Sequence, residues 1–448
     1  MAAVKSIERL AQRRVVPAEP TPAGRLCLSW LDRYPTQRVL CEVLQVFTLD
    51  HPERGNNTSD DAPAKTIERA LARALVHYYP LAGRLVLSDA GVVEEVDCAN
   101  AGVWFTEAKA TCTLEDVEYL QDSPAMMIPK DELLPPLKGK YDDDDNDTII
   151  LLFQVTTFSC GGFVVGFRIS HVVADGLGAG QFINAVGELA RGAETVSVEP
   201  QWGRDAFPDP AAAGAIIGSL PGPVGAKKLG YLAMDISADY IEHLKGQYSA
   251  SNNGGWCSTF DVVIAKAWQT RTRTGGFDPD STVHLCFAMN VRPLLHDSLP
   301  RRGAGFYGNC YYIMRVSAPA RKVAASSVPE LVTLIKDGKR RMPAEFARWV
   351  AGEAGTDPYQ VTSDYQTMLV SNWTKLGFAE ADYGWGPPAH VVPLSFRVME
   401  LDFLASCILA RPFPRKPGAR LITRCVTPDR VNAFHQGMIH LSSSMEPN

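Results

Sequence analysis

The chain has 448 residues and a formal net charge of −6, with 44 Lys and Arg against 50 Asp and Glu mixed along its length. That length calls for two or three domain-sized units with large cores, and the lack of a basic stripe speaks against nucleic acid or an anionic membrane as partner. The ten cysteines form no C-x-x-C pair and no His-rich spacing, which argues against zinc or dithiol chemistry and for buried thiols in a reducing, cytoplasmic compartment.

No apolar run has the length of a membrane span, and MAAVKSIERLAQRR lacks the apolar core of a secretory signal. Glu8 and the prolines at 17, 20 and 22 favour a structured start over a transit peptide. The end, Ser444–Asn448, carries no peroxisomal or retention signal. Without a secretory route the sequons at Asn56, Asn57, Asn146 and Asn372 are expected to stay unglycosylated. VLCEVLQVFTLD reads as a strand and DHPERGNNTSDDAPA as a polar loop. In AKTIERALARALVHYY, Ile67, Leu71, Leu75 and Tyr78 have helical spacing, and Pro80 and Gly83 end the helix. GVVEEVDCA and VWFTEAKA read as strands, and the acidic run Tyr141–Asp147 as a solvated loop rather than a cation site.

TIILLFQVTTFSCGGFVVGFRIS then reads as a hairpin turning at Ser159–Gly162. In its second arm Phe163, Val165, Phe167 and Ile169 alternate with Val164, Gly166, Arg168 and Ser170, as on a strand with two faces. GLGAGQFINAVGELARG follows with Leu177, Phe182, Ile183, Val186 and Leu189 near helical spacing and Gly192 as stop. His171 therefore stands at a strand-to-helix junction, where a histidine can point into a cleft and exchange protons near neutral pH. Asp175 follows four residues on, and Gly176, Gly178, Ala179 and Gly180 let a backbone or ligand come close. On a helix such a His/Asp pair could ligate a metal, but the preceding strand and following glycines oppose a helix, and no third ligand lies nearby. Cys160, in the hairpin turn, reads as structural rather than as an acyl-carrying nucleophile.

Residues 196–228, rich in Pro, Gly and Ala, read as a linker between two halves. Beyond it come a strand (KLGYLAMDIS), a helix from near Ala238, and a helix in CSTFDVVIAKAWQTRTRT with Ser258 or Thr259 as N-cap. VHLCFAMNVRP and AGFYGNCYYIMRV read as strands, and residues from about Pro329 to Glu353 as helix. Strands follow in MLVSNWTKLGF, DYGWGPPAHVVP, VMELDFLASCILARP and ARLITRCV, with a last helix near Pro428 to Ser442. No internal repeat is evident, and the mixture of strands and helices in both halves gives an α/β or α+β class. No phosphate-loop or Rossmann fingerprint supports nucleotide hydrolysis or hydride transfer.

Four segments, Tyr79–Arg84 (YPLAGR), His171–Gly176 (HVVADG), Phe306–Cys310 (FYGNC) and Asp382–Gly386 (DYGWG), stand in an order and placing that resemble the plant BAHD acyl-CoA-dependent acyltransferases over essentially the whole chain. One departure is Tyr383, where that family usually has Phe. The resemblance implies an α/β fold of two chloramphenicol-acetyltransferase-like domains joined by a long crossover loop, with a solvent channel between them. The domains would be 1–195, completed by about 381–409, and 229–448, with 196–228 as crossover. His171 would be the general base, taking a proton from the acceptor and returning it to the CoA thiolate. Asp175 would point away and pair with Arg292.

For CoA, the helix start at Ser258 and Thr259 offers free N–H groups to an anion. Ser371, Asn372 and Trp373 come from a segment that in the family lines the CoA side, and Asp382, Gly384 and Gly386 from its second motif. The Trp385 indole N–H reads either as an oxyanion donor or as a packing group. Acyl-CoA would be a co-substrate, with no tightly bound cofactor and no metal, and the enzyme a monomer without a nucleic-acid or membrane partner. The donor leans aromatic, benzoyl or hydroxycinnamoyl, and the acceptor, a hydroxyl or an amine, stays open. The rival readings are a peptide-synthetase condensation domain, whose usual second histidine is here Ser170, and a non-catalytic binding or regulatory relative.

Overall fold

Two six-stranded mixed sheets and a small three-stranded one form the frame. The structure, a computed structural model, describes residues 5–48, 62–89, 91–121, 126–137, 147–211, 227–299, 301, 304–361, 364–394, 404–413 and 416–439. The first half runs β1 (Ile7–Val15), β2 (Arg25–Cys27), α1 (Trp30–Arg33), β3 (Leu40–Phe47), α2 (Pro63–His77), β4 (Arg84–Leu87), β5 (Val93–Asp97), β6 (Val103–Ala110), α3 (Lys130–Leu133), β7 (Leu151–Thr157), β8 (Phe163–Ser170) and α4 (Gly176–Ala190). The second runs β9 (Gly230–Ser237), α5 (Ala238–Ser251), α6 (Thr259–Thr274), β10 (Thr282–Asn290), β11 (Tyr311–Pro319), α7 (Ala320–Ala325), α8 (Val328–Val350), β12 (Thr367–Asn372), β13 (His390–Pro393), β14 (Ala405–Ala410), β15 (Gly418–Val426) and α9 (Val431–Ile439).

The first sheet has the order β1-β6-β7-β8-β3-β13 and the second β11-β10-β12-β14-β15-β9. In β8 every residue is buried, and in β7 all but the last. Their apolar runs belong to central strands covered on both faces. α2 and α4 pack together, with Tyr78 edge-on to Phe182 at 5.2 Å. Each half has its own apolar core. A third cluster joins Leu44, Val46, Val164 and Val392 of the first sheet to Ile408 and Ile422 of the second, so the two halves are in apolar contact.

Several expected elements differ. IERLAQRRV is a strand, β1, paired antiparallel with β6, although all its residues but Val15 are exposed or half-exposed and show no clean alternation. In AGFYGNCYYIMRV the strand begins only at Tyr311, because Phe306–Cys310 is spent on contacts with the His171 loop described below. DYGWG is turn, with Gly384 at φ 108° and Gly386 at φ 81°, conformations a side chain disfavours. The stretch expected to complete the first sheet does so only in part: β13 pairs with β3, but β14 pairs with β12 and β15 in the second sheet. Trp30, Leu31 and Tyr34, early in the chain, lie in the second half's core beside Trp349 and Tyr359. The acidic run 141–146, the sequons at Asn56, Asn57 and Asn146, and linker residues 212–226 lie outside the described residues.

Candidate active site

His171 is the first residue past β8, and its N–H donates to the Val39 carbonyl at 2.9 Å, which ties the strand end to the start of β3. The side chain is half-buried, with its ring 6.3 Å from that of Tyr311. Burial pushes its pKa below the ordinary histidine value, partly offset by the negative charge of Asp175. The neutral imidazole, the form that accepts a proton, is thereby favoured.

Asp175 caps α4, and its Oδ1 accepts from the Gly178 N–H at 3.0 Å. The guanidinium of Arg292 grips the same carboxylate with two bonds, Nη1 to Oδ2 at 2.8 Å and Nη2 to Oδ1 at 3.0 Å, and the Cys310 N–H adds a third donor at 3.1 Å. Burial alone would raise the carboxyl pKa, but Arg292 and the amide donors outweigh it and hold it below the usual carboxylate range. Arg292 is in turn anchored on the Gly308 carbonyl at 3.0 Å. Among the described residues these groups occupy the Asp175 carboxylate, and no bond runs from it to the His171 ring.

The glycines after Asp175 admit backbone, not ligand. A Cβ on Gly180 would stand 1.6 Å from the Leu376 carbonyl oxygen, and one on Gly176 would strike the Leu376 side chain. Asn184 Nδ2 bonds the Gly180 carbonyl at 2.8 Å and that of Gly377 at 2.9 Å, locking the 376–377 segment onto α4.

Trp385 is not beside His171. Its ring packs 5.4 Å from Phe163, the first residue of β8, and His171 lies beyond the last. Eight residues at ~3.3 Å each put about 26 Å of strand between Phe163 and His171. The oxyanion-donor reading of Trp385 is therefore corrected, and it is a packing group. Tyr383 packs at the same end, its hydroxyl donating to Gln45 Oε1 at 2.8 Å and its ring 5.4 Å from Phe47. Asp382 Oδ1 accepts from the Gly384 N–H at 2.7 Å and shapes the turn. Exposed Cys160, in the β7–β8 turn, is also remote from His171.

A cavity of 1140 Å³ lies where the halves meet, lined by Ser258 and Thr259, by Asn372 and Trp373, and by β13 residues including His390. Ser371, Asp382, Gly384, Gly386 and His171 are not among its lining residues. Ser371 is exposed and accepts from the Trp373 indole N–H at 3.1 Å. The start of α6 already holds an anion of its own. Asp261 accepts from the Ser258 N–H at 2.8 Å and from its hydroxyl at 2.7 Å, and pairs with Lys339 at 2.6 Å. A phosphate there would meet that carboxylate, which already takes the Ser258 N–H. Cations come instead from elsewhere on the wall, Lys375 and Lys416 among them. Lys416 pairs with Asp235 at 2.6 Å, whereas exposed Lys375 has no ion-pair partner among the described residues.

Three residues beside the His171 loop were not assigned a role from sequence: Asp32, Arg204 and Asn309. The first two belong to no motif, though Ser29-x-x-Asp32 is a capping-box spacing that sequence can show. Asn309 lies inside FYGNC, where the pattern alone gives it no partner.

A family model described as "Transferase family" matches residues 5–436. Acyl transferase 7 of Oryza sativa subsp. japonica is 60% identical over 445 residues, covering 98% of each chain. Myricetin 3-O-glucosyl 1,2-rhamnoside 6'-O-caffeoyltransferase AT2 of Crocosmia x crocosmiiflora is 38% identical, covering 97% of this chain and 98% of its own. The crystal structure of vinorine synthase aligns with a TM-score of 0.69 at 19% identity, covering 96% of both chains. That of F. sporotrichioides TRI101 complexed with coenzyme A and T-2 aligns at 0.67 and 14% identity, covering 94% of this chain and 98% of its own. These two likenesses are of fold.

Proposed function

We propose a substrate class and a mechanism for a chain that belongs to the Transferase family of BAHD acyltransferases: it moves a hydroxycinnamoyl group from CoA to a hydroxyl of a small glycosylated or phenolic acceptor. Acyl-CoA-dependent acyl transfer is supported by the family model and by relatives named as acyl transferases and a caffeoyltransferase. The hydroxycinnamoyl donor and hydroxyl acceptor are supported by the caffeoyltransferase relative, and the ester is preferred to the amide on that ground.

The observation that carries the mechanism is the division of labour in the His171 loop. Asp175 is fully engaged by Arg292, and His171 is held as the neutral base. The thioester carbonyl is already electrophilic, so the protein's task is to deprotonate the acceptor and hold both partners in place. The His171 ring takes the hydroxyl proton as the oxygen attacks the acyl carbon. The carbon–sulfur bond then breaks, and the same proton goes to the departing thiolate. No acyl-enzyme forms, and both substrates are bound together.

The cavity supports a CoA site. It is large enough for an extended cofactor arm, it brings Asn372 and Trp373 together, and Lys375, with no ion-pair partner among the described residues, can meet a phosphate. A cytosolic monomer is in keeping with the mixed surface charge and with ten cysteines that are all unpaired. Among the described residues no helix is long and apolar enough to cross a membrane.

The test is a matrix of caffeoyl-, benzoyl- and acetyl-CoA against flavonoid glycosides, simple alcohols and amines, read as free thiol and by mass spectrometry. The expected product is a caffeoyl ester of a hydroxyl acceptor. Turnover only with amines, or only with acetyl-CoA, would overturn the substrate class.

A further inference from the structure

β13 sets a second histidine into the inner wall of the cavity. His390 is 5% exposed and lines that cavity, and among the described residues its ring makes no hydrogen bond to the protein. Its place along the sheet is fixed by register. His390 stands opposite Val46 of β3, whereas Leu40, at the other end of β3, stands opposite Ser170, the neighbour of His171. From Leu40 to Val46 the strand advances by about 20 Å at ~3.3 Å per residue. The extended pantetheine arm of CoA has a reach of that order between its sulfur and its diphosphate. A thioester at His171 therefore brings the diphosphate, and not the reacting carbon, to the level of His390.

The charges beside the ring do not balance. Asp235 of β9 is shared by Arg420 of β15 at 3.0 Å and by Lys416 at 2.6 Å, so two cations face one carboxylate. Arg420 also donates to the Gln121 carbonyl at 2.6 Å, which takes none of its charge, and Lys416 lines the same cavity. Burial, and after it the charge of Arg420, pushes the His390 pKa down to about 3, and Asp235 offsets only part of this. The ring is thus neutral near neutral pH and carries one N–H. Phe413, 5.2 Å away ring to ring, packs against it. Buried donors are rarely left unpaired, and an idle N–H beside surplus positive charge suits an anion with acceptor oxygens better than it suits an amide.

We propose that His390 reads the diphosphate of CoA: its imidazole N–H donates to a diphosphate oxygen, and the surplus charge of Lys416 and Arg420 balances the anion. This rests on the cavity being the CoA site. The residue binds and takes no part in proton transfer at the acyl carbon. Its effect is on donor choice, since a thioester that ends at pantetheine lacks the group it recognises.

The test is calorimetry on the full-length protein with three ligands: CoA, dephospho-CoA, which keeps the diphosphate but lacks the 3′-phosphate, and pantetheine, which has neither. His390→Leu is expected to weaken CoA and dephospho-CoA alike by about 10- to 100-fold, the worth of a hydrogen bond to a charged group, and pantetheine by less than about twofold. His390→Gln, which keeps an N–H, is expected to recover much of the loss, as a residue that merely packs would not. In turnover the loss falls on KM for acyl-CoA, with kcat within about twofold. An equal loss with pantetheine, a loss confined to CoA, or unchanged binding of CoA each overturns the proposal. If His390→Leu does not fold, the wild-type ring answers: its 15N signals, assigned by difference from His390→Gln, are expected to shift with dephospho-CoA and not with pantetheine, and signals indifferent to dephospho-CoA overturn the proposal. Wild-type protein that binds none of the three ligands overturns the CoA site itself. Wild type and His390→Leu that bind CoA equally well overturn only the role of His390.

Discussion

At the scale of single residues, His171 and Asp175 act apart although they share a motif. Asp175 spends its charge on Arg292 and two backbone donors, the Gly178 and Cys310 N–H groups, fix its place, so its removal leaves a buried guanidinium unpaired. Asp175→Ala and Arg292→Ala are each expected to lose about 3–5 kcal/mol, and the double variant less than the sum of the two, as chemical denaturation would show. Asp175→Ala that melts like wild type while inactive would contradict a structural role. Because the folded Asp175 pKa lies below its unfolded value of about 3.9, its stabilisation is present above that pH and is lost as pH falls through the folded value. The pair was legible in sequence because both members stand in recognisable segments. Trp385 was misplaced because a motif's text does not say at which end of a strand it packs. The pairing of Asp32 with Arg204 left no signal beyond the capping-box spacing of Asp32, since a lone Asp and a lone Arg declare their partnership only when a fold buries them together.

At the scale of elements, α4 carries the loop, and its glycines are the means by which the 376–377 segment reaches it. Gly180→Ala places a methyl 1.6 Å from the Leu376 oxygen, and is expected to cost at least 1–3 kcal/mol, roughly that of an overpacked core, with a loss of activity. Gly246→Ala, in α5 with nothing within 4 Å of the added carbon, is expected to be neutral or to stabilise by about 0.5–1 kcal/mol. Thermal melts of the two variants beside wild type check both. The β7–β8 hairpin and α4 were readable because burial on both faces and helical spacing leave strong patterns. β1 was not, since an edge strand whose residues are nearly all exposed or half-exposed keeps no alternation. Phe306–Cys310 looked like strand by composition, but its backbone is committed to Asp32, Asp175 and Arg292.

At the scale of the whole molecule, each half lends the other a piece. β13 from late in the chain closes the first sheet, and α1 from its beginning packs into the second core and brings Asp32 to the His171 loop. Sequence patterning could give two mixed halves and a crossover, but not these exchanges, because β13 and β14 are both short and apolar and only pairing decides their sheet. The exchanges place His171 where both halves contribute to its surroundings.

The most direct measurement is the pH dependence of kcat/KM for thiol release from caffeoyl-CoA with a hydroxyl acceptor, in wild type and His171→Ala. Burial lowers the His171 pKa, so the wild-type acidic limb is expected below the ordinary histidine value of about 6.5. His171→Ala is expected to fold normally and to lose about 10²- to 10⁴-fold in rate. A well-folded His171→Ala that transfers at close to the wild-type rate, or a wild-type limb well above the ordinary value, would contradict the account.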